Sequence, residues 1–193
     1  MQAIPNSAAM DMAAHGAGPS TRVLPWIAGG EPQQILQFVT ELAGAIQKIT
    51  GIVSGIETAG GSLRQAWPTG SAAEAATAKL TDTLTLFTRI TKAVEAMETE
   101  IQAAATALQL VQNAYAAVVG STNPTVAMLL SNVHTRAAAT SLSIRTTTQL
   151  AAFVNSTKST LDTIAQVRLA AITTLLATIA KELDSQLPAT SRA

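Results

Sequence analysis

Large aliphatic residues recur at every seventh position along two stretches of this chain, and that period decides what the chain can become. From Pro32 onward the positions read Ile35, Leu42, Ile49, Ile56 and Leu63, with Phe38, Ala45, Ile52, Ala59 and Ala66 three residues after each. The second stretch reads Leu80, Phe87, Val94, Ile101, Leu108 and Tyr115, with Thr83, Ile90, Met97, Ala104, Val111 and Val118 as companions. A seven-residue apolar repeat keeps one seam of a helix facing a partner, whereas a strand needs a period of two. The spacing predicts helices over 32–66 and 71–119. The second of these covers roughly 48 residues, or about 70 Å at 1.5 Å per residue, so the pair makes an elongated antiparallel hairpin.

The ends of these helices follow from local chemistry. Trp67-Pro68-Thr69-Gly70 separates them, and Ser71 with Glu74 three residues on has the spacing of a capping box. Gly120-Ser121-Thr122-Asn123-Pro124 is a stop signal. Beyond it, Leu150, Leu161, Ile172 and Leu183 recur every eleven residues, as do Leu142, Phe153, Ile164 and Leu175. That repeat suits one straight helix. "NSTKST" at 155–160 and the capping spacing of Ser159 with Asp162 favour instead two helices, over 125–154 and 159–187, folded back on the hairpin. The fold class expected is all-α, an elongated hairpin extended into a roughly four-helix bundle. Residues 1–31 lack any sustained period and read as a flexible or loosely docked arm, in which Trp26 either pins the arm to the bundle or stands as a partly exposed aromatic; residues 188–193 form a tail. Gly51 and Gly55 lie one turn apart and offer a place for another helix to approach closely.

Charge narrows the function. Only 12% of the residues are charged, against roughly 25% in an ordinary domain, and 12 basic side chains balance 12 acidic ones. Clustered Lys and Arg, which a phosphate backbone requires, are missing, so nucleic acid is not an expected partner. The chain has no cysteine, and disulfides are therefore out of the question. Its first 20 residues carry neither a basic n-region nor an apolar h-region, so a Sec-type signal is not expected. The most apolar run, "LAAITTLLATIA" at 169–180, covers 12 residues where a membrane span needs about 20, and it reads as a core face.

Catalytic groups are scarce. His15 lies in the arm, and His134 has no carboxylate or second histidine at ligand spacing. Asp82, Glu95, Glu98 and Glu100 lie among Thr and Ala at ordinary helix-surface spacing to Lys79 and Lys92. No Ser/His/Asp set, phosphate-binding glycine loop or metal-ligand spacing occurs. The expectation is no enzyme, no cofactor and no metal.

One residue stands outside this account. A turn uses Pro68 and Gly70, but it has no need of the Trp67 indole. A heptad helix, a Trp-to-Gly turn and a second long, Ala-rich heptad helix together resemble the WXG-motif proteins secreted by actinobacterial type VII (ESX) systems. They also resemble the longer PPE proteins and PPE-like Esp substrates. The likeness covers residues 33–119, through "AWPTGSAAEAATAKL" and "AAATALQLVQNAYAAVV". It implies that Trp67 and Gly70 belong to a secretion-recognition surface, with two residues between them where the family has one. Such families carry Tyr-x-x-x-Asp/Glu near the end of the second helix. Tyr115 matches the tyrosine, while position 119 is Val. PPE proteins have the same deficit and obtain the acid from a PE partner. The resemblance thus implies a non-enzymatic protein exported by a Sec-independent route, bound to a PE-like or WXG-like helical partner, to itself, or to a secretion chaperone. For Tyr115 the heptad register independently suggests a core position. Two other readings stand beside this one: a membrane-active or envelope-associated helical protein, and a self-assembling coiled coil. Membrane contact is the less favoured, since the chain lacks the basic face of an amphipathic membrane helix.

Overall fold

A computed structural model describes residues 4–186, which are helical almost throughout: the chain is all-α, 89% helical, with no strand among the described residues. It divides into two compact units, one formed by the chain up to Ile35 with Ala103–Ile164, the other by Leu36–Gln102 with the chain from Ala165 on. Each unit is built differently. The tail at 188–193 lies outside the described residues.

The first unit contains α1 (Ala8–Ala13), α2 (Pro19–Arg22), α3 (Leu24–Ile27), the second half of α5 (Ser71–Leu130) and α6 (Arg136–Thr163). The arm expected to be loose is part of its core. Met10, Ala13, Val23 and Ile27 cluster with Val111, Tyr115, Val119, Val126, Ala139, Leu150 and Val154. Burying a Met, Val or Ile side chain contributes about 1.5–3 kcal/mol, which a segment without periodicity can supply through a few well-placed residues. Polar contacts fix its path. Asn123 Oδ1 accepts the Met10 N–H at 3.1 Å, and Ser143 Oγ donates to the Met10 carbonyl at 2.6 Å. Asp11 ties α1 to α2 by accepting from Ser7 Oγ (2.7 Å) and the Ser20 N–H (3.1 Å). Gly18 lies so close to Asp11 that a Cβ has no room there. Trp26 does not pin the arm by burial: it is 59% exposed, with Lys158 Nζ 4.4 Å above its ring.

Two expected breaks are absent and an unexpected one appears. Helix α5 runs through Gly120–Pro124 to Leu130. An interior proline costs about 3 kcal/mol, but Val119 and Val126, on either side of Pro124, are both fully buried, and Asn123 is engaged by the arm. Helix α6 likewise continues through 155–160. There Thr157 and Thr160 donate their hydroxyls back to the carbonyls of Phe153 and Ser156, four residues earlier, and do not cap a new helix. It passes into a π-helical segment, Ile164–Leu169, and then α7 (Ala170–Gln186). The true reversal is at 131–135. Asn132 is extended (φ −113°, ψ 125°), and its side chain accepts the His134 N–H at 2.9 Å. Thr135 Oγ1 donates to the Leu129 carbonyl at 2.7 Å, satisfying one of the carbonyls that a helix end leaves open.

The second unit holds most of α4 (Pro32–Ala66), the first half of α5, and α7. Its packing is thin. Ala73, Leu86, Ala93 and Ile179 are buried, whereas the stripe Ile49, Ile56, Leu63, Leu80, Phe87 and Val94 is only half-buried. Phe38 and Ile52, two companions on α4, are exposed. Two ion pairs mark the direction of the π-helical segment and α7 against α5: Arg168, in the π-helical segment, with Glu100 at 2.9 Å, and Arg89 with Glu182 of α7 at 2.6 Å. The order of the paired residues makes the two helices antiparallel. The glycine that a neighbour approaches is Gly60, where a Cβ would meet the Leu80 side chain. Gly51 and Gly55 have open space around them, so the close approach expected there is not made.

Candidate functional site

The Trp67–Gly70 turn is built from α4 outward. The Trp67 N–H still donates to the Leu63 carbonyl at 2.8 Å, closing the last turn of the helix. Pro68 cannot extend that ladder. Gly70 adopts φ +111°, a region where an L-residue is strained, although nothing lies within reach of a Cβ. Its glycine therefore serves the backbone and not a close contact. Gly70 also takes the N-cap position of α5: its carbonyl accepts the Glu74 N–H at 3.0 Å, and Ser71 is the first helical residue. The expected Ser71–Glu74 capping box is replaced by this glycine cap.

Trp67 is 47% exposed. With Arg64 and Pro68 it borders an open groove whose other side is the first turns of α5, at Ala73, Glu74, Thr77, Ala78, Thr81 and Asp82. Thr77 and Thr81 donate to the carbonyls of Ala73 and Thr77 at 2.9 and 3.0 Å. Arg64 Nε turns back to the Gly60 carbonyl at 3.3 Å. With the two threonine hydroxyl protons used internally, the groove presents methyl groups, the half-exposed indole, two carboxylates and the Arg64 guanidinium. It can cover an apolar side chain or a helix, and it contains no nucleophile paired with a base.

The other residues singled out from the sequence are dispersed. Tyr115 belongs to the first unit and is 2% exposed, with its hydroxyl unpaired. Burial pushes its pKa above 10.0; the nearby Ser7 hydroxyl opposes the rise and the Asp11 carboxylate reinforces it. Ser7 donates its proton to Asp11, and no hydrogen bond of good geometry joins it to the phenol. Val119, where an acid would complete the family's motif, is fully buried. Tyr115 is thus a core residue of the first unit, whereas Trp67 and Gly70 belong to the second. His15, with φ 50°, occupies a turn after α1, and His134 lies exposed in the 131–135 reversal. Among the described residues no three His, Asp or Glu side chains gather in a way that could hold a metal.

Sequence reasoning missed a second concave feature, in the first unit. A cleft of about 350 Å³ lies between the 27–33 segment and the Gln109–Ala116 face of α5. Its visible signal was Gln109, Gln112 and Asn113, polar residues within the mostly apolar stretch 103–119 of α5. One helix, 133–185, contains an 18-residue window of mean hydropathy 1.5 that is 11% buried. Because the break at 155–160 is absent, the short apolar run of α7 belongs to a helix long and apolar enough to cross a membrane, by length and composition. No family model matches the chain, and no curated protein or solved structure matches it.

Proposed function

We propose that this chain is a non-enzymatic helical protein that acts by protein–protein association, exported in the manner of type VII secretion substrates. The observation that carries the reading is the half-exposed indole of Trp67 beside a methyl-lined groove. A large aromatic left open at a helix reversal, where neither turn nor cap uses it, is what an interface anchor looks like before its partner arrives. The thin second unit supports the same reading. Its heptad stripe is only half-buried, and its exposed Phe38 and Ile52 add apolar area that a helical partner would cover. A four-helix arrangement is then completed by that partner or by a second copy.

Co-expression of the tagged chain with small helical proteins encoded beside it, followed by purification, tests the association. A stoichiometric complex that Trp67→Ala abolishes is the expected result. Export is tested in an actinobacterial host with and without its secretion ATPase. Protein confined to the cytosol in both strains would sink the secretion claim. A second reading, a membrane-contacting envelope protein, draws on the apolar helix at 133–185. Co-sedimentation with anionic and neutral liposomes separates the two, because an interface role predicts no lipid binding once the partner is present.

A further inference from the structure

We infer that the cleft in the first unit is a binding site for a small organic ammonium ion with an apolar body. Its volume of about 350 Å³ falls within the roughly 300–1,000 Å³ of ordinary ligand pockets. The apolar wall comes from Ile4, Pro5, Ile27, Pro32 and Ala116. What distinguishes the cleft is the sign of its polar groups. Gln112 Nε2 donates to the Ile27 carbonyl at 3.2 Å and the Gly30 carbonyl at 2.8 Å. An amide nitrogen has only two protons, so the unused polar capacity of that side chain is the Oε1 acceptor. The Gly30 carbonyl keeps a further lone pair, whereas that of Ile27 also accepts the Gly30 N–H at 3.4 Å. Pro5 and Pro32 have no backbone N–H to offer.

The charges point the same way. Among the described residues, Glu31 is the only charged side chain lining the cleft, no Lys or Arg lines it, and no ion pair engages the Glu31 carboxylate. A carboxylate or phosphate ligand would meet acceptors and like charge, whereas an ammonium group donates three hydrogen bonds into them. Gln33, Gln109 and Asn113 can adjust to either end of such a ligand. The bend that forms the wall is held by packing: Gly30 lies against Leu108 so closely that any side chain there would displace it.

The test uses the full-length ¹⁵N-labelled chain and three probes of one shape: 2-phenylethylammonium, 3-phenylpropanoate and neutral 3-phenylpropanamide. The amine should bind with a dissociation constant on the order of 1 mM or below and shift the side-chain amide signals of Gln109, Gln112 and Asn113. The propanoate should bind at least about tenfold more weakly. Glu31 is exposed, and Glu31→Gln should weaken the amine about two- to fivefold with no loss of melting temperature, as expected for removing one solvent-facing charge. Gln112→Leu should abolish the shifts, and Gln109→Ala, which leaves the 27–30 bend untouched, should weaken them. Equal binding of amine and propanoate overturns the inference. So do shifts mapping away from the α5 face and an amine silent at about 10 mM.

Discussion

Replacing Tyr115 with Phe should stabilise the first unit. The ring is 2% exposed and its hydroxyl has no hydrogen-bond partner. A buried hydroxyl left unpaired costs roughly 1–3 kcal/mol. Phe removes that group and keeps the ring contacts with the core. The void left by one oxygen, on the order of 10 Å³, costs only about 0.2 kcal/mol at the usual cavity rate. The balance is a gain of about 1 kcal/mol, or a rise of about 2–4 °C in melting temperature for a chain of this length. Thermal unfolding should be followed through Trp26, which lies in the first unit, in a Trp67→Phe background. The folded-state pKa of Tyr115 is raised, so its neutral form is the one the fold favours. Its contribution is fully present below the unfolded value near 10.0 and is lost as pH rises from there through the folded value. The alkaline fall in stability should accordingly be shallower in Tyr115→Phe. A loss of about 1 kcal/mol or more on substitution would refute the reasoning and identify Ser7 as a true partner; Ser7→Ala in both backgrounds would then show coupling.

Gly51→Ala and Gly55→Ala, made together, should raise stability by about 1–2 kcal/mol, since each position is helical with open space beside it; destabilisation in a urea titration would mean that a helix does approach there. Ser143→Ala removes one of the two donors to the Met10 carbonyl, which keeps the Ala14 N–H, and should cost about 0.5–1.5 kcal/mol, with hydrogen exchange accelerated across Ala8–Ile27 before it is accelerated elsewhere. Trp67→Ala should change the melting temperature by less than about 2 °C because the indole is half-exposed, yet remove partner capture in pull-down. Gly70→Ala strains a residue at φ +111° and should cost about 1–2 kcal/mol in chemical denaturation.

How much of this was legible depended on the kind of signal. The long helices α4 and α5 follow from a repeat that both sides of the Trp67–Gly70 turn obey, and their facing boundaries at Ala66 and Ser71 are marked by Pro68 and Gly70. Breaks were misread wherever a local signal competed with burial at a distance. Pro124 is a stop by local rules, and Val119 and Val126 overrule it through partners far along the chain. The arm was opaque for a related reason. Its helices have four to six residues, too short for any period to show, and its fit depends on Met10, Val23 and Ile27 meeting particular residues of α5 and α6. Of the Trp67 groove, the aromatic and the turn could be read; the methyl lining could not, because it arises from hydroxyls turned back to their own helix. The carboxamide-lined cleft was hidden too, since Gln112 becomes an acceptor only after the bend at 27–30 takes its two protons.

The docking of the arm has a consequence for synthesis. Met10 meets Asn123 and Ser143, 113 and 133 residues later in the chain. At about 5–20 residues per second, the second of those partners emerges roughly 7–27 s after Met10 is made. Until Val111 and Tyr115 are made, Met10, Val23 and Ile27 lack their core partners, while α4 and the first half of α5 can already zip together from the Trp67–Gly70 reversal. The segment that holds Met10, Val23 and Ile27 is therefore made with its apolar residues unclaimed. Any factor that handles the nascent protein has those seconds in which to hold it, before α6 closes the first unit over the same residues.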